Sequence, residues 1–179
     1  MLISSYIDAK GRYYMKRYNE LTFECFEEKD IDVLTPIMTR AFDEDTRMHL
    51  NEPTGGPDGY DNGDFLRKFG LHQDTTAYKI SLEDTVIGCI ILWINKETKM
   101  NFLGTIFIDV TVQNKGIGKR IWEFIEQEHS DAIQWGTETP GFSKRNHNFY
   151  VNKCGFHIVK IENPFDKYEC SYVMEKKYN

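Results

Sequence analysis

Residues 106–119 read IFIDVTVQNKGIGK and join a strand pattern to a helix pattern through a glycine-bearing turn. The first half is rich in β-branched residues, as strands are. The first N–H groups of a helix lack intrahelical acceptors and carry partial positive charge, and Gly116 and Gly118 let an anion approach the main chain. Lys115 and Lys119 add positive charge. The segment therefore predicts an anion site; the alternative is a tight turn without a ligand.

The glycine spacing separates this turn from two common phosphate-binding motifs. A dinucleotide-binding fingerprint has a third glycine three residues after the second, where this chain has Ile121. A P-loop has a glycine five residues before the glycine that precedes the lysine, and Gln113 occupies that position. The motif that remains is Gln-x-x-Gly-x-Gly after a long strand.

Outward from this turn, the sequence predicts strands and helices in alternation. Strands are predicted at residues 21–25, 77–82, 86–94, 100–112, 132–137, 156–161 and 168–174. Helices are predicted at residues 30–42, 64–71, 116–129 and 144–153. Glu83 and Asp84 are predicted to form a hairpin turn, and residues 51–63 a long loop. The pattern predicts an α+β fold: a mixed, mostly antiparallel sheet of about seven strands flanked by about four helices.

The length of the chain predicts a single domain. Residues 1–20 show no clear period, so they are interpreted as an N-terminal extension of uncertain order, without an assigned function. Residues 21–179 are predicted to fold around one core, because about 100 to 200 residues is the usual size of a domain.

Composition excludes several classes of function. With 22 basic and 28 acidic side chains, the formal net charge of −6 disfavours nucleic acid and anionic membranes as partners. No apolar run approaches the roughly 20 residues of a membrane span, and no secretory signal is evident, so we expect a cytoplasmic protein. The four cysteines are scattered without metal-ligand spacing, so we expect buried thiols and no metal site.

The motif from Gln113 to Gly118 closely resembles the coenzyme A signature of the GNAT superfamily of N-acetyltransferases: Gln or Arg, two residues, Gly, one residue, then Gly or Ala. The resemblance covers most of the chain from Leu21 onward. It implies a splayed sheet, acetyl-CoA as co-substrate, and direct attack of a primary amine on the acetyl group in a ternary complex. The acceptor would be a small-molecule amine or a protein amine.

The resemblance also implies which residues hold the co-substrate. One main-chain N–H of the strand would face the thioester oxygen, where charge develops during transfer. The backbone of the turn would bind the pyrophosphate through Gln113, Asn114, Lys115, Gly116, Ile117, Gly118 and Lys119. The backbone of Ile106, Phe107 and Ile108 would pair with the pantetheine arm as if it were another strand.

A second match lies in residues 148–156, NFYVNKCGF, which resemble the F-Y-x-x-x-G-F segment of the family. In many members this tyrosine protonates the departing thiolate, so the resemblance implies that Tyr150 is the general acid. A phenol has a pKa of about 10, comparable to that of an alkyl thiol, which makes this proton transfer feasible. A core tyrosine packed beside Phe149 is the alternative interpretation.

Glu138 is the candidate general base. It lies twelve residues before Tyr150, at the spacing of a strand-end glutamate in the branch that resembles ribosomal-protein alanine acetyltransferases. This chain departs from that branch, since it has Thr-Glu-Thr in place of Leu-Glu-Val and Ser143 in place of the usual asparagine. Asn146 is a candidate to replace that asparagine in contacting coenzyme A. A solvated strand-end glutamate is the alternative for Glu138.

The acceptor amine is expected near the loop of residues 51–63. Its Glu52, Asp58 and Asp61 would favour a cation, and Tyr60 would line the pocket; a solvated, flexible loop is the alternative. A non-catalytic acyl-CoA-binding sensor would have the same cofactor turn, and a different acyl donor such as succinyl-CoA would need a basic or roomy pocket. The sequence leaves open the identity of the amine and whether late strands pair two subunits in a homodimer.

Overall fold

The computed structural model describes residues 4–7 and 13–178, with side chains from Met15 onward. Within these residues nine strands form one sheet in the order β1-β2-β3-β4-β5-β6-β7-β9-β8. The strands are β1 Ser4–Ile7, β2 Tyr13–Tyr18, β3 Leu21–Cys25, β4 Thr75–Leu82, β5 Thr85–Trp93, β6 Met100–Ile108, β7 Gln134–Pro140, β8 His157–Glu162 and β9 Ser171–Lys177. Only β6 and β7 pair in parallel, so the predicted mixed, mostly antiparallel sheet is confirmed.

Two strands were not predicted. Both lie in the N-terminal segment 1–20, of which residues 1–3 and 8–12 fall outside the described part of the chain. β2 pairs antiparallel with β3 from Met15 opposite Glu24 to Tyr18 opposite Leu21, through a turn in which Asn19 has a φ of 56°. The described part of this segment therefore extends the sheet by two strands.

In the described part of the chain four α- or π-helical segments flank the sheet, as predicted, besides the short 3-10 helices Glu28–Asp30 and Val110–Val112. The four segments are α1 Ile31–Leu50; the π-helical turn Leu66–Gly70; α2 Ile117–Glu128; and α3 Lys144–His147, which continues as the π-helical turn Asn148–Lys153. α1 extends eight residues beyond its predicted end at Phe42. The apolar pattern stops there because the next buried positions of the helix are polar, Asp45 and Thr46. The α1 helix therefore continues beyond the end of its apolar face.

The core has two layers, one on each face of the sheet. Against one face, Leu34 and Met38 of α1 pack with Ile91 and Phe107. Against the other face, the α2 side chains pack on the sheet; this layer includes Phe23, Ile90, Ile121, Trp122, Phe124 and Trp135. The expectation of buried thiols is confirmed for Cys89 and Cys154 but is wrong for Cys25, which is exposed because it lies at the end of β3, and only partly met by half-buried Cys170.

The sheet opens between β6 and β7. These strands pair only from Met100 opposite Gln134 to Leu103 opposite Thr137. At the same point the β5–β6 register shifts, leaving Gly104 as an extra residue on β6, and bulges of this kind bend and twist a strand. β6 was predicted to reach Val112 but ends at Ile108. The C-terminal halves of β6 and β7 therefore border an open gap.

The pH dependence of folding is expected to involve His129, at the C-terminal end of α2. Its Nε2 is buried and has no hydrogen-bond partner among the described residues. Burial lowers the pKa of His129 below its ordinary value of 6.5. As the pH falls below 6.5, the unfolded chain therefore binds a proton at this histidine more readily than the folded chain does. The stability that is present above pH 6.5 is lost as the pH falls.

Urea unfolding at pH 7 and pH 5 tests this expectation. The decrease in the free energy of unfolding from pH 7 to pH 5 should be smaller in His129→Gln than in the unmodified chain. His157→Gln, at an exposed position on β8, should retain the unmodified pH dependence. Equal pH dependence in His129→Gln and the unmodified chain would contradict the assignment to His129.

Candidate functional site

The β6 side of the gap presents main-chain groups without strand partners. Asp109 N–H donates to the Ile87 carbonyl on β5 at 2.7 Å. Alternate residues of a strand direct their main-chain groups to opposite neighbours, so those of Ile106 and Ile108 face the gap. Phe107 instead pairs with Cys89 on β5 and buries its side chain against α1. Of the three strand residues predicted to bind the pantetheine arm, the structure places two at the gap.

The predicted turn lies at the end of this edge. Gly116 precedes α2 in a left-handed conformation with a φ of 76°, and Asn114 has a φ of 61°. The first α-helical hydrogen bond runs from Arg120 N–H to the Gly116 carbonyl at 3.2 Å. The N–H groups of Ile117, Gly118 and Lys119 therefore have no acceptor within the helix. A Cβ at position 116 would meet nothing within 4 Å, so the main chain here is open to a ligand.

Lysines border the turn, and both are exposed. The Lys115 Nζ donates to the Thr111 carbonyl at 3.2 Å, and the Lys119 Nζ lies 3.5 Å from a carboxylate oxygen of Glu123. Gly118 packs against the ring of Phe149, where a Cβ would lie 3.0 Å from a ring carbon. The turn thus combines unpaired N–H groups, the positive end of a 12-residue helix and two cations, which suits a phosphate group.

The Gln113 side chain anchors the turn. Its Nε2 donates to the Ile108 carbonyl at 3.0 Å, and its Oε1 accepts from Arg145 Nη1 at 2.6 Å. Arg145 Nη2 lies 3.2 Å from Asp45 Oδ1 on α1, and Asp45 also accepts from the Ser143 hydroxyl at 3.0 Å. A chain of polar contacts therefore connects α1, α3, the turn and the end of β6.

Arg145 and Asp45 were not among the predicted site residues. Asp45 is 8% exposed and continues the buried stripe of α1 four residues after Ala41. A carboxylate at an apolar position was the available signal, because buried charges are normally paired. Arg145 gave no comparable signal, since its partners are distant in the sequence.

Tyr150 lies in the core layer beside α2 and is 6% exposed. Its ring contacts those of Phe149 and Phe156, with centroids 5.1 and 5.8 Å away. Burial raises the pKa of Tyr150 above its ordinary value, and a hydrogen bond with the Thr137 hydroxyl partly offsets the increase. Thr137 is the last β7 residue that pairs with β6. Tyr150 is therefore both a core residue and a protonated phenol at the start of the gap.

Glu138 lies on the opposite face of β7 from Tyr150. Thr137 and Thr139 are buried on the Tyr150 side, and successive strand residues point to opposite faces, so the exposed Glu138 points away from it. Ser171 donates its hydroxyl to the Glu138 carboxylate. Glu138 lines an open groove of about 530 Å³ together with residues of the 162–171 segment. The structure does not bring the predicted acid and base together on one face.

Asn146 lies beyond the opening of the sheet, on the Tyr150 side. Its Nδ2 donates to the Thr139 hydroxyl at 3.1 Å, and its main-chain N–H donates to the Ser143 hydroxyl, which caps α3. Ser143, which stands where the resemblance leads one to expect asparagine, is thus a helix cap. Asn146 is half-buried beside β7, and its amide is engaged by the protein.

The 51–63 loop is tied to α1. Tyr60 donates its hydroxyl to Asp43 at 2.7 Å, and the Gly55 N–H donates to the same carboxylate oxygen at 3.0 Å. Burial, and then the Asp43 hydrogen bond, raise the pKa of Tyr60 to about 12. Asp58 and Asp61 are exposed, and neither they nor Tyr60 line the groove that contains Glu138.

In the described part of the chain, no three His, Cys, Asp or Glu side chains converge in a way that would hold a metal ion. None of the helices in residues 4–7 and 13–178 combines the length and the apolar character needed to cross a bilayer.

Comparisons with known proteins indicate the family of the chain. Residues 37–156 match the family described as the acetyltransferase (GNAT) family. The uncharacterized protein YrkN of Bacillus subtilis (strain 168) is 34% identical over 151 residues, which cover 83% of this chain and 80% of that protein.

Two solved structures share the fold at low identity. PaiA N-acetyltransferase from Thermoplasma acidophilum, in complex with coenzyme A, aligns with a TM-score of 0.69 and 16% identity over 88% of this chain and 99% of that chain. The ribosomal-protein-S18-alanine N-acetyltransferase from Escherichia coli aligns with a TM-score of 0.67 and 15% identity over 88% and 93%. From the family match, which covers more than half of its residues, the chain belongs to the GNAT acetyltransferase family.

Proposed function

We propose that this chain transfers the acetyl group of acetyl-CoA to a primary amine within a ternary complex. The observation that carries the proposal is the gap between β6 and β7. It is bordered by main-chain groups of β6 that have no strand partner and by a buried phenol, and it leads to the N-terminus of α2. An extended thioester whose pantetheine arm leads to a pyrophosphate fits this order of groups.

Binding would use the main chain at both ends of the gap. The N–H groups of Ile117, Gly118 and Lys119 would bind the pyrophosphate. The main-chain groups of Ile106 and the Ile108 N–H would pair with the amides of the pantetheine arm as a further strand, while the Ile108 carbonyl accepts from Gln113. The CoA-bound structure of the Thermoplasma acidophilum protein, which shares this fold, supports coenzyme A as the ligand class.

The transfer follows from these positions. The amine lone pair attacks the thioester carbon, and the Ile106 N–H stabilises the charge that develops on the carbonyl oxygen. The tetrahedral intermediate then collapses, the C–S bond breaks, and the thiolate takes the phenol proton of Tyr150. The proton released by the amine passes to Glu138, directly or through water. Glu138 is suited to this role because it is exposed and faces the side of the sheet opposite Tyr150.

A thiol-release assay with acetyl-CoA and a panel of primary amines tests the proposed reaction. At least one amine should release coenzyme A thiol at a rate well above that of hydrolysis. Calorimetry with acetyl-CoA provides the control for binding. Binding without thiol release for any amine would reject the proposed reaction in favour of a non-catalytic acyl-CoA-binding module.

Gly116→Ala is expected to weaken acetyl-CoA binding by about tenfold. The new Cβ would project into the open space beside the unpaired N–H groups, and the left-handed conformation would cost about 1 kcal/mol of stability. Isothermal titration calorimetry measures the affinity, and urea unfolding measures the stability.

Gly155→Ala is the matched control for this change. Gly155 has a similar φ of 79°, and a Cβ there would make only ordinary contact with Lys176 at 3.6 Å. It should therefore lose similar stability without losing affinity. If both variants bind acetyl-CoA as tightly as the unmodified chain does, the turn is not the pyrophosphate site.

A further inference from the structure

An apolar hollow of about 220 Å³ lies beside the gap, on the α1 face of the sheet. Thr105 is the one polar side chain of its lining, and the other lining residues are Phe65, Phe69, Ile91, Trp93, Phe102 and Gly104. Adjacent rings contact one another: the centroids of Phe65 and Phe69 are 4.6 Å apart, and those of Phe69 and Trp93 are 6.2 Å apart. Gly104 is needed to seat Trp93, since a Cβ there would lie 2.0 Å from its ring.

The hollow lies next to the gap between β6 and β7. Phe102 is paired with Gly136 on β7, and a Cβ at Gly136 would lie 3.0 Å from the Phe102 ring. Residues two apart on a strand share a face, so Glu138 is on the same face as the hollow, about 7 Å further along β7. Gly104, at the other wall, is two residues before Ile106. An amine placed to lose its proton to Glu138 would therefore have its substituent beside the hollow.

The size and chemistry of the hollow select the kind of substituent. Whole-ligand pockets usually have about 300 to 1,000 Å³, so this hollow takes only part of a ligand. An engineered apolar cavity of about 150 Å³ binds benzene, so one aromatic ring fits within it. Lys68 Nζ lies 4.8 Å from the centroid of the Phe69 ring, which disfavours a second cation at that ring. Phe102 is 38% exposed, leaving apolar surface for an aryl group to cover.

We propose that the hollow binds the aryl group of an arylalkylamine acceptor. This inference rests on the proposed acetyl transfer and names the class of amine that the reaction would use. The aryl ring packs against Phe102, Trp93 and Phe69, while the amine extends along the same face towards Glu138. Linear polyamines have no group that fills the hollow.

The test compares 2-phenylethylamine with ethylamine and spermidine as acceptors. In the unmodified chain, kcat/KM should be at least tenfold higher for 2-phenylethylamine than for ethylamine, because filling an apolar pocket gives discrimination of about 10- to 200-fold. Phe102→Ala should lower kcat/KM for 2-phenylethylamine about tenfold more than kcat/KM for ethylamine, chiefly through KM. For Phe102→Leu, which keeps an apolar wall, kcat/KM for 2-phenylethylamine should lie between the values of the unmodified chain and Phe102→Ala.

Phe165→Ala is the matched control, because the Phe165 side chain is fully exposed and lies outside the hollow. It should behave as the unmodified chain does with every amine. If 2-phenylethylamine is no better than ethylamine, or if Phe102→Ala affects both amines equally, the inference is overturned. Preference for spermidine with active thiol release would overturn it as well, while leaving the proposed acetyl transfer standing.

A binding readout separates this inference from the proposed reaction. Trp93 lines the hollow, whereas Trp122 and Trp135 are at most 1% exposed. Titration with 2-phenylethylamine should change Trp93 fluorescence in the unmodified chain, and Phe102→Ala should weaken the apparent affinity about tenfold. If 2-phenylethylamine changes the fluorescence but no amine is acetylated, the hollow is supported as an aryl site and the proposed acetyl transfer is rejected. No fluorescence change with 2-phenylethylamine would reject the aryl site.

Discussion

Tyr150→Phe is expected to lower kcat about a hundredfold while leaving acetyl-CoA affinity unchanged. The substitution removes the phenol proton but keeps the ring that packs beside Phe149 and Phe156. A positioned general acid contributes about 10²- to 10⁴-fold to a rate, and the thiolate would have to take its proton from water instead. Steady-state kinetics at saturating acetyl-CoA and amine measures kcat, and calorimetry measures the affinity.

The pH dependence of kcat provides a second test of the role of Tyr150. Because burial raises the pKa of Tyr150 above its ordinary value of about 10, the phenol stays protonated throughout the neutral range, although the same shift makes it a weaker acid than a free phenol. Loss of the acid form should therefore cause no fall in kcat between pH 7 and pH 9.5. A loss of kcat centred within that range would need a different group as its cause.

Tyr18→Phe is the matched control. Tyr18 is also a buried tyrosine of the same core layer; it lies on β2, and its hydroxyl accepts a hydrogen bond from Gln127. It should retain full kcat. If Tyr150→Phe also retains kcat, Tyr150 is only a core residue, and the leaving thiolate obtains its proton elsewhere.

The turn before α2 could be predicted because its determinants are local. Glycine tolerates the left-handed conformation that Gly116 adopts, and a helix start exposes N–H groups whatever lies elsewhere in the chain. The same holds for the hairpin at Glu83 and Asp84, whose φ values are 46° and 65°. Strand β6 was predicted by its composition, although its end was placed four residues too late.

The features that were missed depend on contacts between distant segments. The bulge at Gly104 requires the register of β5, and Phe107 pairs with β5 because of that register. The twelve-residue spacing from Glu138 to Tyr150 does not define on which face of the sheet each residue lies, and the structure separates the two. Asp45 appears in the sequence only as a polar residue in the second half of a helix. Its burial follows from a partner, Arg145, one hundred residues later in the chain.

Arg145→Ala is expected to destabilise the protein and to weaken its use of acetyl-CoA. Arg145 contacts Asp45 on α1 and Gln113 in the turn, so its removal would leave the buried Asp45 carboxylate without its guanidinium. Breaking a partly buried charged hydrogen bond costs about 2 to 3 kcal/mol. The freed Gln113 would hold the turn less firmly against Ile108, so KM for acetyl-CoA should rise about tenfold with a smaller change in kcat. Urea unfolding and steady-state kinetics measure the two effects.

Lys144→Ala is the control for Arg145→Ala, since the neighbouring Lys144 is exposed and should change neither quantity. Gln113→Ala separates the two roles of Arg145. It should reproduce the rise in KM with a smaller loss of stability, because Asp45 keeps its pairing with Arg145. If Arg145 acts on the turn through Gln113, the double variant should raise KM no more than the larger single effect, whereas independent contacts would give additive effects. Additive free energies from KM would show that Arg145 does not position the turn and would reduce its role to tethering α3 to α1.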